Sequence, residues 1–78
     1  MTEMDTILRL LAEVKPGLAP APDEELIRSG KLDSVEVMAL VMALTEELDI
    51  EITPLDLKED NFRTAGAILA LVQRLENE

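Results

Sequence analysis

The 78-residue sequence contains no cysteine and no histidine, and Phe62 is its only aromatic residue. Without cysteine there is no thiol nucleophile, disulfide or Cys/His zinc site, and without histidine there is no imidazole base and no Ser–His–Asp triad. We therefore expect a protein that is not itself an enzyme and that holds no metal. The core must be built from Leu, Ile, Val, Ala and Met.

Positive charge is also scarce. Seven Lys and Arg residues against seventeen Asp and Glu residues give a net charge of −10. Phosphate backbones and anionic membrane surfaces would repel such a chain, so we do not expect it to bind nucleic acid or lipid. The charge suits partners with basic docking patches, although a merely well-solvated surface would explain it as well.

Long apolar runs are absent, and none approaches the ~20 residues that a membrane span requires. The first residues carry Glu3 and Asp5 before Arg9, unlike the basic start of a secretory signal. These features predict no membrane insertion and a cytoplasmic location. The length predicts a single domain, residues 1–78, with a core too small for a deep substrate cavity.

Apolar residues recur at helical spacing in three parts of the chain, with no clear strand pattern. The helices expected from this spacing span about 3–14, 33 or 34 to 48 or 49, and 65–76. A capping box of Thr2 and Asp5 would begin the first helix, and Thr64 would cap the last. A short further helix would begin at Pro54 or lie within residues 58–62. The predicted fold is all-α: a bundle of three main helices and a short one.

The connection between the first two main helices, residues 15–33, is long for a compact domain. We expect a helical turn in it that is capped by Asp23 and ends at Gly30. Leu26, Ile27 and Leu32 would hold the connection against the core. Loops of this length are often functional, and this one leads directly to the start of the second helix.

The segment at residues 30–52 resembles the acyl carrier protein family. In that family a serine in an Asp-Ser-Leu motif begins the second helix and carries 4′-phosphopantetheine; here the motif reads Asp33-Ser34-Val35. The resemblance covers roughly residues 24–75, and Val35 is its one departure within the motif. The preceding residues, Ser-Gly-Lys-Leu-Asp-Ser, are more similar to the Gly-x-Leu-Asp-Ser of D-alanyl and other aminoacyl carriers.

The resemblance implies that Ser34 is the attachment point of the phosphopantetheine arm. A helix N-terminus suits the arm's phosphodiester because its backbone N–H groups lack partners and the helix dipole is positive there. The simpler alternative is that Ser34 is only an N-cap. Asp33 would either help to orient the metal and cofactor of the modifying transferase or simply lie at the positive end of the dipole.

A docking face is expected on the second helix, away from a buried stripe of Val37, Leu40, Val41, Leu44 and Leu48. Helical geometry places Val35 and Met42 at the border of the exposed face, and its outward residues are Glu36, Ala39, Ala43, Glu46 and Glu47. Between Leu32 and Leu57 there are seven acids and no base. Such a face suits basic partners better than a merely solvated surface does. Phe62 is interpreted as a core residue rather than a cargo contact.

The predicted function is that of a monomeric carrier, which tethers an acyl or aminoacyl group as a thioester and presents it to partner enzymes. Its partners would be a phosphopantetheinyl transferase, a loading enzyme and downstream acyl-using enzymes. The alternative is an unmodified acidic helical module that keeps the fold and binds partners without the arm. The intact Asp33-Ser34 pair favours the first.

Overall fold

The computed structural model of the protein describes residues 1–78 and contains only helices, turns and loops. The helices are α1 (Met4–Val14), α2 (Ser34–Leu48), α3 (Glu59–Phe62) and α4 (Ala65–Glu76), with a 3-10 turn at Pro54–Asp56. The all-α prediction is confirmed, and both positions considered for the short helix form one. None of the helices combines the length and apolar character that a membrane crossing requires.

The core is one cluster of twelve buried apolar residues that come from all four helices and from the long loop before α2. Its members are Ile7, Leu10, Leu11, Leu26, Leu32, Leu40, Leu44, Phe62, Ala65, Ile68, Leu71 and Val72. Helix α1 packs against α2 and α4, and α3 packs against α4. The expected role of the two loop leucines is confirmed, since both are almost fully buried.

The helical turn expected between Asp23 and Gly30 does not form; the chain makes only bends and turns there. The N–H of Leu26 instead donates to the carbonyl oxygen of Arg63 at 2.7 Å. The N–H of Leu32 donates to the carbonyl oxygen of Leu26 at 2.9 Å. The bond to Arg63, the bond within the loop and the burial of both leucines therefore override the local helical tendency, and they fix the loop just before α2.

The capping box expected from Thr2 and Asp5 is wrong. The N-cap of α1 is Glu3, and no side chain caps this end. The Thr2 hydroxyl donates to Glu76 Oε2 at 2.6 Å, and its backbone N–H donates to Glu76 Oε1 at 3.0 Å. The carbonyl oxygen of Thr2 accepts from Gln73 Nε2 at 3.1 Å. Thr2 is buried against α4, so this tertiary contact replaces the local cap.

This contact makes a pH-dependent contribution to stability. The two hydrogen bonds from Thr2 lower the pKa of Glu76 below its ordinary value of 4.5. A group whose pKa is depressed by folding stabilises the protein above its unfolded-state pKa, and that contribution is lost as pH falls through the folded-state pKa. We expect Glu76→Gln to remove part of the acid-induced loss of unfolding free energy, measured by urea denaturation from neutral pH to well below 4.5.

Other carboxylates will keep part of that acid sensitivity in the variant. Hydrogen bonding to Arg63 lowers the pKa of Glu25, and hydrogen bonding to the Thr53 backbone lowers the pKa of Asp56. The matched control is Glu3→Gln, because the Glu3 side chain is exposed and makes no hydrogen bond. Identical pH profiles for wild type and both variants would show that Glu76 does not contribute.

Candidate functional site

The start of α2 is fixed by a reciprocal capping box. The backbone N–H of Glu36 donates to Asp33 Oδ1 at 2.8 Å, and the backbone N–H of Asp33 donates to Glu36 Oε1 at 3.0 Å. Asp33 is therefore the N-cap, and Ser34 is the first helical residue. The alternative that Ser34 serves as the N-cap is wrong, because Asp33 already fills that role.

Ser34 is exposed, and its hydroxyl makes no hydrogen bond within the protein. The backbone N–H groups of Ser34 and Val35 likewise have no acceptor in the protein. These groups belong to the first turn of a helix of 15 residues, where the helix dipole is positive. An anion joined to the Ser34 hydroxyl would thus lie beside two unused donors, as at other anion-binding helix N-termini.

Contacts with the end of α1 and with the long loop also hold the start of α2 in place. Lys15 Nζ lies 3.8 Å from Glu36 Oε1 and also donates to the carbonyl oxygen of Lys31. The Lys31 ammonium in turn pairs with Glu24. Lys15 therefore links the end of α1 to the long loop and to the capping box, so the position of Ser34 is set by more than its own helix.

An open groove of about 550 Å³ runs beside Ser34 between α2 and the segment that leads into α3. The residues that matter here are Ser34, Val37 and Met38 on one wall and Leu57, Lys58 and Phe62 on the other. Phe62 is only 2% exposed and belongs to the core cluster. Its predicted core role is confirmed, and the same side chain also lines the groove.

The exposed face of α2 is more apolar than the sequence predicts. Its exposed residues include Val35 at 78%, Met42 at 62%, Met38 at 50%, and Ala39. The sequence predicts a buried stripe of Val37, Leu40, Val41, Leu44 and Leu48, of which Val37 and Val41 are only half-buried. Leu40 and Leu44 are completely buried, as predicted, whereas Ala43, which was predicted to face outward, is half-buried. The buried stripe is therefore rotated toward Leu40 and Ala43. Met38 was missed for this reason.

The same rotation changes the surroundings of the predicted acidic residues. Glu36 is half-buried within the capping box and beside Lys15. Glu47 is exposed but lies 3.6 Å from Arg9 of α1. Glu46 is exposed and forms no ion pair. The structure thus leaves one of the three predicted carboxylates unpaired on the apolar face.

A small helical protein with an exposed serine at a helix start and an open groove beside it has the features of a carrier protein that presents a group on a covalent arm. The family model described as "Phosphopantetheine attachment site" matches residues 5–72. A D-alanyl carrier protein of Staphylococcus saprophyticus is 33% identical over 73 residues, which cover 91% of this chain and 94% of the relative. The chain belongs to the phosphopantetheine attachment site family.

The protein is accordingly a carrier that bears covalently attached 4′-phosphopantetheine and presents acyl or aminoacyl groups to other enzymes, and it is not itself an enzyme. The residues at the start of α2 fit such a group. An exposed hydroxyl offers the ester oxygen, and the N–H groups of Ser34 and Val35 offer donors to its phosphate. When bound, the arm supplies the thiol that this cysteine-free chain lacks.

Proposed function

We propose that Ser34 is the attachment residue. The observation that carries this proposal is its exposed, unbonded hydroxyl at the first helical position, next to two unused backbone donors. No basic side chain contacts that hydroxyl, so the modifying transferase must supply both the base and the metal ion. One carboxylate oxygen of Asp33 is occupied by the cap, and its second oxygen is available to a transferase-bound metal.

We further propose that the cargo is a small aminoacyl group, with D-alanyl as the leading candidate. The residues that precede Ser34 support this, as does the resemblance to a D-alanyl carrier protein over most of both chains. The groove supports it as well, because it is open and the buried ring of Phe62 forms part of its lining. The groove does not form an enclosed tunnel that could bury a long fatty chain.

The test is a pair of loading reactions on the holo protein, followed by intact-mass measurement. One uses an enzyme that adenylates D-alanine, and the other uses a long-chain acyl synthetase. We expect efficient thioester formation with the first and little with the second. Efficient loading by the long-chain enzyme alone would overturn the cargo assignment without affecting the attachment residue.

We propose that partners dock on the exposed face of α2. Its apolar contacts are Val35, Met38 and Met42, and Glu46 supplies charge beside them. Glu36 and Glu47 contribute less, because each already lies near a cation of this chain. The partners would be the transferase, the loading enzyme and downstream acyl-using enzymes. A monomeric state and a cytoplasmic location stay predictions.

Glu46→Lys should slow association with the transferase, chiefly at low salt. An exposed charge pair contributes roughly 0.2–1 kcal/mol, which corresponds to at most about a fivefold change in affinity. Met42→Ala should weaken binding by loss of apolar contact, with little dependence on salt. The measurement is the rate of modification at limiting carrier concentration, at low and at physiological ionic strength, where charges are screened over about 8 Å.

The matched control is Glu3→Lys, which makes the same charge change at an exposed residue before α1. Glu36→Lys is unsuitable because it would break the capping box. Equal rates for Glu46→Lys, Glu3→Lys and wild type at low salt would show that the acidic residues of α2 are only a solvated surface.

A further inference from the structure

Lys58 is the only basic side chain that forms no ion pair. The other six each approach a carboxylate oxygen within 3.8 Å; they are Arg9, Lys15, Arg28, Lys31, Arg63 and Arg74. Acids outnumber bases by seventeen to seven in this chain. Lys58 therefore remains unpaired among many carboxylates, and it is available to bind an anion that is not part of the polypeptide.

Lys58 lies where such an anion is expected. It immediately precedes α3 and lines the same groove as Ser34. Glu59, which also lines the groove, has its carboxylate 3.0 Å from Arg28. Asp33 is bound in the capping box. Lys58 is thus the only cation that lines the groove, and it forms no ion pair with either of the two carboxylates there.

We propose that Lys58 positions the phosphopantetheine arm by pairing with its phosphodiester. The inference rests on attachment at Ser34. A phosphodiester carries a full negative charge at neutral pH, and a lysine ammonium binds phosphate as a compact point charge. The N–H groups of Ser34 and Val35 hold the phosphate from the α2 side, and Lys58 holds it from the α3 side.

Binding of the phosphate by both the start of α2 and Lys58 has a structural consequence. Helix α3 has only four residues, and the groove separates its leading segment from α2. A phosphate that bridges Lys58 and the start of α2 ties these two walls together in the holo form only. It also directs the arm along the groove rather than away from it, so the arm leaves Ser34 in a preferred direction.

The test compares apo and holo protein by NMR, with lysine side chains labelled at the ε-carbon and the ζ-nitrogen. We expect the Lys58 side-chain resonances to shift on attachment of the arm. Those of Lys31 should not, because Lys31 is paired with Glu24 and does not line the groove. Lys58→Gln should also shift the ³¹P resonance of the arm and reduce the holo-minus-apo difference in Tm, whereas Lys31→Gln should do neither.

The outcomes separate this inference from the proposal on which it rests. If intact mass shows the arm on Ser34 and the Lys58 resonances stay where they are in the apo protein, the positioning role is refuted and the attachment proposal stands. An arm that never forms on Ser34, with an active and broadly tolerant transferase, refutes both. Equal ³¹P shifts in the Lys58→Gln and wild-type holo proteins likewise refute the positioning role.

Discussion

Ser34→Ala should abolish phosphopantetheinylation while leaving the fold and its stability almost unchanged. The loss should be complete because the substitution removes the only oxygen to which the arm is proposed to be joined. Stability should hardly change because Asp33, and not Ser34, caps α2. Asp33→Ala, by contrast, should destabilise the protein by about 0.5–2 kcal/mol through loss of the cap.

The other hydroxyls are poor substitutes for Ser34. Ser29 donates to the carbonyl oxygen of Glu25 at 2.6 Å, and Thr45 donates to that of Val41 at 2.8 Å within α2. The remaining threonines are Thr2, Thr6, Thr53 and Thr64, and three of these hydroxyls are engaged in hydrogen bonds. Thr6, the fourth, lies half-buried inside α1.

The measurement is intact mass and peptide mapping after incubation with a transferase, coenzyme A and Mg²⁺. Ser29→Ala is the matched control, and it should be modified like wild type because its hydroxyl serves only the loop. A folded Ser34→Ala protein that gains an arm elsewhere would contradict the assignment. So would a wild type that never gains one from an active, broadly tolerant transferase.

The start of α2 could be predicted from the sequence because its determinants are local. A capping aspartate, a serine and the apolar spacing that follows lie within one or two turns, so the motif can be read without knowing the fold. The cap of α1 could not be predicted in this way. Thr2 has its partner, Glu76, at the far end of the chain, and no local pattern reports that contact.

The docking face and the groove depend on how the helices pack, and here the sequence was less informative. Apolar spacing indicated that α2 is amphipathic but not which of two neighbouring apolar rows lies deepest. Leu40 and Leu44 are buried as predicted, but Val37 and Val41 are only half-buried and Met38 is exposed. The sequence also could not show that Lys58 forms no ion pair. That depends on pairs such as Arg28 with Glu59, which form only after folding.

Phe62→Ala should destabilise the protein by about 3–5 kcal/mol, the usual range for removing a buried aromatic ring. Its ring is 2% exposed, belongs to the core cluster and forms part of the groove wall. At roughly 0.05–0.15 kcal/mol per residue, a chain of this length has a total stability of only about 4–12 kcal/mol. The variant should therefore lose a large fraction of its folding free energy, measured as a lower midpoint in urea denaturation.

The matched control is Phe62→Leu, which keeps an apolar side chain of most of the same volume and should lose much less stability, because it leaves a smaller cavity. Val35→Ala, at a residue that is 78% exposed, should stay within about 0.5 kcal/mol of wild type. If Phe62→Ala were as stable as Val35→Ala, the ring would not support the core.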